Sequence, residues 1–162
     1  MYFDENSTSG ILTALDELTT FINHEGPYDG IIAFSLGAAL ASTWMIDRIQ
    51  RNIPIPFKCA VFFSAAMPVS VDSLRNGQAV DLDPAAAGEV IGIPTAHLWG
   101  TNDWLATSAS KLSEMCWGPQ RSVFVHNGGH EVPASGDDLI KAVNTIRRCI
   151  VWAEQGETAA PN

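Results

Sequence analysis

Gly30-Ile31-Ile32-Ala33-Phe34-Ser35-Leu36-Gly37-Ala38-Ala39 is the stretch that decides the fold. Its four consecutive apolar residues, 31–34, follow an Asp29-Gly30 turn and read as a short strand buried on both faces. A helix starts at once, over about residues 36–51. Leu40, Trp44 and Ile49 give it apolar bulk, and Arg48 and Arg51 sit in its last turns, where cations suit the helix dipole. Ser35 therefore stands on the bend between a strand and a helix. A serine on such a strained bend is the nucleophile elbow, usually written G-x-S-x-G. The positions two before and two after the serine need small side chains, because they approach neighbouring backbone. Ala33 and Gly37 meet that need, although Ala33 departs from the usual glycine. The plain alternative is a serine that only caps the second helix.

The pattern continues on both sides. Ile11, Leu15, Leu18 and Ile22 fall on one face of a helix over about residues 10–24, with Ser7, Thr8 and Ser9 as possible caps and Gly26-Pro27 as the stop. Further apolar runs at 59–63, 93–99 and 122–126 read as strands. Residues 65–92 carry Pro68, Gly77, Pro84 and Gly88 with weak periodicity, which predicts an irregular excursion with a helical turn after Asp72. Helices are expected over about 105–117, stopped by Gly118-Pro119, and over about 135–152, striped by Leu139, Val143, Ile146 and Ile150. Alternating helices and doubly apolar strands give an α/β domain: a mostly parallel sheet of about four strands flanked by helices. Residues 1–153 form that single domain, and the polar residues 154–162 are expected to be a disordered tail.

Composition removes several functions. The 162 residues are 46% apolar and 17% charged, as in a globular domain. Nine basic residues against 18 acidic ones give a net charge of -9, which disfavours nucleic acid and anionic membrane surfaces as partners. No apolar run approaches the ~20 residues that span a bilayer. The first ten residues, with Asp4 and Glu5, lack the pattern of a secretory signal. Cys59, Cys116 and Cys149 are odd in number and widely spaced, so they are read as free thiols in a reducing, cytoplasmic setting, and paired-cysteine zinc is excluded.

A serine hydroxyl needs a base. His130 lies in His126-Asn127-Gly128-Gly129-His130-Glu131-Val132-Pro133, where two glycines let a loop carry an imidazole back over a strand end. His126 ends the strand and reads as structural, His97 as a core histidine, and His24 as a helix-end residue. A metal on His126, His130 and Glu131 is rejected, because the i,i+4 pair needs a helix that Asn127-Gly128-Gly129 would not form. No cofactor is expected. The base needs an acid to hold its tautomer. Asp103, in Gly100-Thr101-Asn102-Asp103-Trp104, follows the third strand. The order Ser35, Asp103, His130 is that of α/β hydrolases, and each residue lies just past the C-terminal end of a parallel strand. Asp103 could instead cap the next helix, and Asp72, Asp81 and Asp83 are weaker rivals.

Three segments carry a resemblance: residues 26–39, residues 94–103 with Pro94-Thr95-Ala96-His97-Leu98-Trp99-Gly100-Thr101-Asn102-Asp103, and residues 126–133. Over about residues 2–152 the chain resembles the fungal-type FSH serine hydrolases, α/β hydrolases similar to the ovarian-tumour-associated candidate hydrolase of animals. The resemblance implies Ser35 as nucleophile, Asp103 as acid and His130 as base, with the backbone N–H of Leu36 as one oxyanion donor. It also implies carboxylesterase activity or thioesterase release of polyketide chains from a carrier protein, in fungal secondary metabolism. Family members begin with strands and a His-Gly loop that supplies the second oxyanion donor. Nothing of that kind precedes Tyr2, so the chain is expected to be truncated and strand 31–34 to be a bare apolar edge, open to self-association.

The leading expectation is hydrolysis of a small-molecule ester or acyl thioester, free or bound to a carrier protein, through an acyl-enzyme. The competing one is an impaired hydrolase remnant or interaction module. A nucleotide-binding domain is weaker still, since neither G-x-G-x-x-G nor a Walker-A loop occurs. Met67, Trp104 and the excursion are expected to line an acyl pocket, with surface packing as the alternative for Trp104. The charge of -9 offers no pull toward an acidic carrier.

Overall fold

A computed structural model describes residues 7–156. The chain opens with α1 (Thr8–Glu25), whose first turn is capped by the Ser7 hydroxyl accepting from Gly10 N–H at 3.3 Å. Then come β1 (Gly30–Phe34), α2 (Leu36–Gln50) and β2 (Cys59–Phe63). The excursion carries two short helices, α3 (Val71–Arg75) and α4 (Pro84–Ala87), each N-capped by a side chain, Ser70 and Asp83. β3 (Thr95–Gly100), α5 (Ala106–Glu114), β4 (Arg121–His126) and α6 (Gly136–Gln155) complete it.

The four strands pair in parallel in the order β1-β2-β3-β4, with Phe34 beside Phe63, Leu98 beside Phe124 and Gly100 beside His126. Alternating side chains feed two layers. Ala60, Phe62 and Trp99 join the larger core with Trp44, Met45, Ile46, Leu74 and Leu112 from the helices and the excursion. Val61, Phe63, Ala96 and Leu98 face the other way, onto Ala142 and Cys149 of α6. The Trp44 indole N–H donates to the Thr19 hydroxyl at 2.8 Å and ties α2 to α1. All three cysteines are free thiols. Among the described residues, no helix is long and apolar enough to cross a membrane.

Several expectations are corrected. Only the two inner strands are buried on both faces. β1 is an edge, as the resemblance to the family led one to expect, and Ile32 is 70% exposed, against the reading of a strand buried on both faces. Ile32 and Phe34 stand in register with Val61 and Phe63, on the face that α6 covers, but α6 packs on β2, β3 and β4. β4 is the other edge and exposes Val123 and Val125. An apolar run signals a strand without revealing its neighbours. α6 continues through Glu154 and Gln155 to an αL cap at Gly156, so the first residues of the expected tail are helical. The rest of that tail, 157–162, and residues 1–6 lie outside the described residues. The third strand starts at Thr95, after Pro94, which has no N–H to donate although its C=O accepts from Ala60 N–H at 3.1 Å.

Candidate active site

Ser35 occupies the bend between β1 and α2 with φ +56° and ψ -122°, a region where a non-glycine residue is strained. Backbone bonds hold it there. Its N–H donates to Phe63 C=O at 2.9 Å, and its own C=O accepts from Ala38 N–H at 3.0 Å and Ala66 N–H at 3.3 Å. The side chain makes no capping bond to α2, so the helix-cap alternative is not what this residue does. One part of the elbow argument is corrected. A Cβ on Gly37 would meet nothing within 4 Å, so no neighbouring backbone presses on that side. Leu36 opens α2, where a backbone N–H has no intrahelical acceptor.

The loops that carry Asp103 and His130 are locked together. Thr101 N–H donates to His126 C=O at 2.8 Å, and Asn102 N–H to Gly128 C=O at 3.1 Å. The Asn102 amide adds a bond to Asn127 C=O at 3.0 Å. The loops approach so closely that a Cβ on Gly100 would collide with the carbonyl oxygens of Gly128 and Gly129. Glycine at 100 is therefore a packing requirement.

This lock brings the three sequence-read residues into one chain of contacts. The Ser35 hydroxyl lies 2.9 Å from His130 Nε2, and His130 Nδ1 lies 3.0 Å from Asp103 Oδ1. The tautomer consistent with an ionised Asp103 carries its proton on Nδ1, leaving Nε2 to accept from Ser35. Asp103 Oδ1 also accepts from Leu105 N–H at 2.8 Å, so this residue shapes the turn into α5 as well. The Asp103 side chain is wholly buried. Burial pushes its carboxyl group up, but the Ser64 hydroxyl, the Leu105 N–H and His130 together hold it below the usual carboxylate value.

Two aromatic rings flank the imidazole. Trp104 lies 3.9 Å from it between ring centroids and Phe34 lies 4.8 Å away. Trp104 is 75% exposed, so its ring is a wall of the site rather than part of the core. Met67 lies instead in a cavity of about 350 Å³ beside the elbow, lined also by Leu36, Leu40, Val69, Leu105 and Asp81. The other histidines are apart from this chain of contacts. His126 Nδ1 accepts from Gly128 N–H at 3.1 Å and shapes the turn. His97 is buried against the Thr95 hydroxyl at 3.1 Å, and burial, aided by Arg121, pushes it down to about 3. Asp72 forms ion pairs with Arg51 and Arg75, and Asp83 caps α4. Among the described residues no group of three His, Cys, Asp or Glu could hold a metal ion. Phe34 and Ser64 went unnoticed in the sequence. Ser64 follows β2 as Ser35 follows β1, and that parallel was the available signal.

Residues 2–142 match the serine hydrolase (FSH1) family. The chain belongs to that family. An esterase of Fusarium mangiferae, FPY3, is 38% identical over 90% of this chain and 68% of its own length. The esterase OVCA2 of Xenopus tropicalis is 26% identical over 81% of this chain and 53% of its length. The chain thus spans about two thirds of one curated relative and about half of the other. Among solved structures, the monoacylglycerol lipase of Paleococcus ferrophilus superposes with a TM-score of 0.58 at 14% identity, over 89% of this chain and 76% of that one. At that identity the likeness concerns the fold, and the fold is that of the α/β hydrolases. Ser35, Asp103 and His130 all lie inside the residues that match the FSH1 family.

Proposed function

We propose that this FSH1-family chain is a serine esterase with Ser35 as nucleophile, His130 as general base and acid, and Asp103 as the acid that steers it. The observation that carries this is the continuous contact from Ser35 Oγ through the imidazole to Asp103, at 2.9 and 3.0 Å. Ser35 Oγ attacks the substrate carbonyl as Nε2 takes its proton. The imidazolium is stabilised by Asp103 and then protonates the leaving group. Water, deprotonated by the same nitrogen, releases the acid from the acyl-enzyme. The Leu36 N–H supplies one oxyanion donor. Purified protein should hydrolyse a p-nitrophenyl ester, and Ser35→Ala should abolish that turnover; equal turnover in the variant would refute the assignment.

The substrate is a carboxylic ester or acyl thioester with an apolar acyl chain. The cavity beside Leu36, with Met67 and Val69 in its wall, supports that reading. A role in releasing polyketide or other secondary-metabolite chains follows from the resemblance to fungal enzymes. The three free thiols favour a cytoplasmic setting.

A second reading, an impaired hydrolase or interaction module, is favoured by the β1 edge. Its Ile32 and Phe34 are exposed on a strand whose outer edge has no partner among the described residues, as on a surface that adds a strand from another chain. Ser35-dependent turnover by monomeric protein would exclude this reading, and turnover that is absent from a folded monomer would favour it.

A further inference from the structure

Ser64 follows the end of β2, on the strand next to the one that leads to Asp103. It is a polar residue with no exposed surface. Its φ is +45°, in the left-handed region where a side chain is strained. Its N–H donates to Leu98 C=O at 2.8 Å, so the backbone is fixed. The hydroxyl has no hydrogen-bond partner, and neither has Asp103 Oδ2, although both are buried. Oδ2 is the carboxylate oxygen left over once Oδ1 has taken both His130 and Leu105. The backbone brings the two residues to the same end of the sheet: Ser64 extends β2 alongside β3, and Asp103 N–H donates to Gly100 C=O at 3.1 Å in the turn that closes β3. The Ser64 hydroxyl also helps hold the Asp103 carboxyl group down. Alanine would fill this place without a buried hydroxyl, and glycine would suit the positive φ. A serine here has neither advantage, unless the hydroxyl is needed.

We infer that Ser64 is a positioning residue of the active site, whose hydroxyl donates to Asp103 Oδ2 and so keeps Oδ1 turned toward His130. The inference rests on the triad reading proposed above. A carboxylate held by one oxygen can rotate about its own bond. One held on both oxygens presents a fixed acceptor to the imidazole, and base and nucleophile stay aligned.

Two variants test this. Ser64→Ala removes only the hydroxyl, and Ser64→Gly removes it while relieving the backbone. Both should lower kcat for a p-nitrophenyl ester about tenfold, as expected for one lost bond to a charged group, with KM unchanged. In an Asp103→Asn background, Ser64→Gly should change kcat by less than about twofold, because residues acting through one another are non-additive. A second readout needs no turnover: the proton NMR resonance of the His130 ring N–H. It should be sharp and far downfield in the wild type and broadened by exchange in Ser64→Gly. If the wild type hydrolyses no ester, this resonance still decides the role of Ser64, and only the esterase reading falls. An unchanged resonance together with wild-type kcat in Ser64→Gly would overturn the inference, as would an equal loss in both backgrounds.

Discussion

Asp103→Asn isolates what the buried charge does. In the wild type, Oδ1 accepts from both His130 Nδ1, at 3.0 Å, and Leu105 N–H, at 2.8 Å. An asparagine can place its carbonyl oxygen there and keep both bonds, with its amide nitrogen on the Ser64 side. Shape and tautomer then survive and the negative charge alone is lost. Two unit charges about 4 Å apart at an effective dielectric of about 20 attract by roughly 4 kcal/mol. That attraction exists only once His130 is protonated, so it acts on the transition state and amounts to about 10³-fold in kcat. The same Asp-to-Asn change in a serine protease drops kcat by about 10⁴, there because the histidine is left in the wrong tautomer, so a loss beyond about 10³ here would show that the tautomer is lost as well. The assay is steady-state hydrolysis of a p-nitrophenyl ester, with thermal melts to show that the variant is folded. KM should stay within about threefold, since Asp103 is buried behind the imidazole. A folded Asp103→Asn enzyme that keeps more than about a tenth of wild-type kcat would refute the electrostatic reasoning.

Other consequences are open to direct measurement. Trp104→Ala should lower kcat about two- to fivefold, the worth of an exposed cation–π contact to the imidazolium, and leave the urea midpoint nearly unchanged; an unaffected kcat would make the stacking incidental. Met67→Trp should narrow the cavity and cut kcat/KM for long acyl esters more than for acetate, by up to about fourfold for each buried methylene excluded, and equal losses for both esters would remove the acyl-pocket reading. His97 is neutral and pushed down to about 3 in the fold, so the unfolded chain takes up its proton first as pH falls. Stability should therefore decline by about 1.4 kcal/mol per unit below pH 6.5, and His97→Leu should flatten that slope in urea melts; a slope identical in both proteins would contradict this. Ile32→Lys should shift any self-associated wild type toward monomer in sedimentation runs, whereas an unaltered oligomer would place the contact elsewhere.

The fold was legible where local chemistry settles it. Residues 31–39 announce a strand, a bend and a helix because apolar continuity, a serine and small residues all agree. Asp103 and His130 could be found because each ends a strand in a loop of turn-forming residues, and the parallel sheet puts all such ends on one side. What escaped depends on neighbours remote in sequence. The apolar run alone reads Ile32 as a core residue; its place on an edge was expected from the resemblance and not from local chemistry, and the strand order puts it there. Gly37 looks like a steric necessity, but nothing packs opposite it. Gly100 is a glycine that close packing does demand, and that demand comes from Gly128 and Gly129, more than 25 residues away in the chain. Ser64 carries no motif of its own. Its meaning lies in a strained φ and in a carboxylate oxygen that only the three-dimensional arrangement leaves unpartnered. Trp104 was expected in the acyl pocket, but the turn made by Asp103 and Leu105 sets its ring against His130.

The most direct measurement is the site and stoichiometry of labelling by a fluorophosphonate, which reacts only with a serine that a neighbouring base has activated. One adduct per chain, mapped by peptide mass spectrometry to Ser35, lost in Ser35→Ala and sharply slowed in His130→Ala, is the expected result. Labelling at another residue, or none in folded protein, would contradict the account.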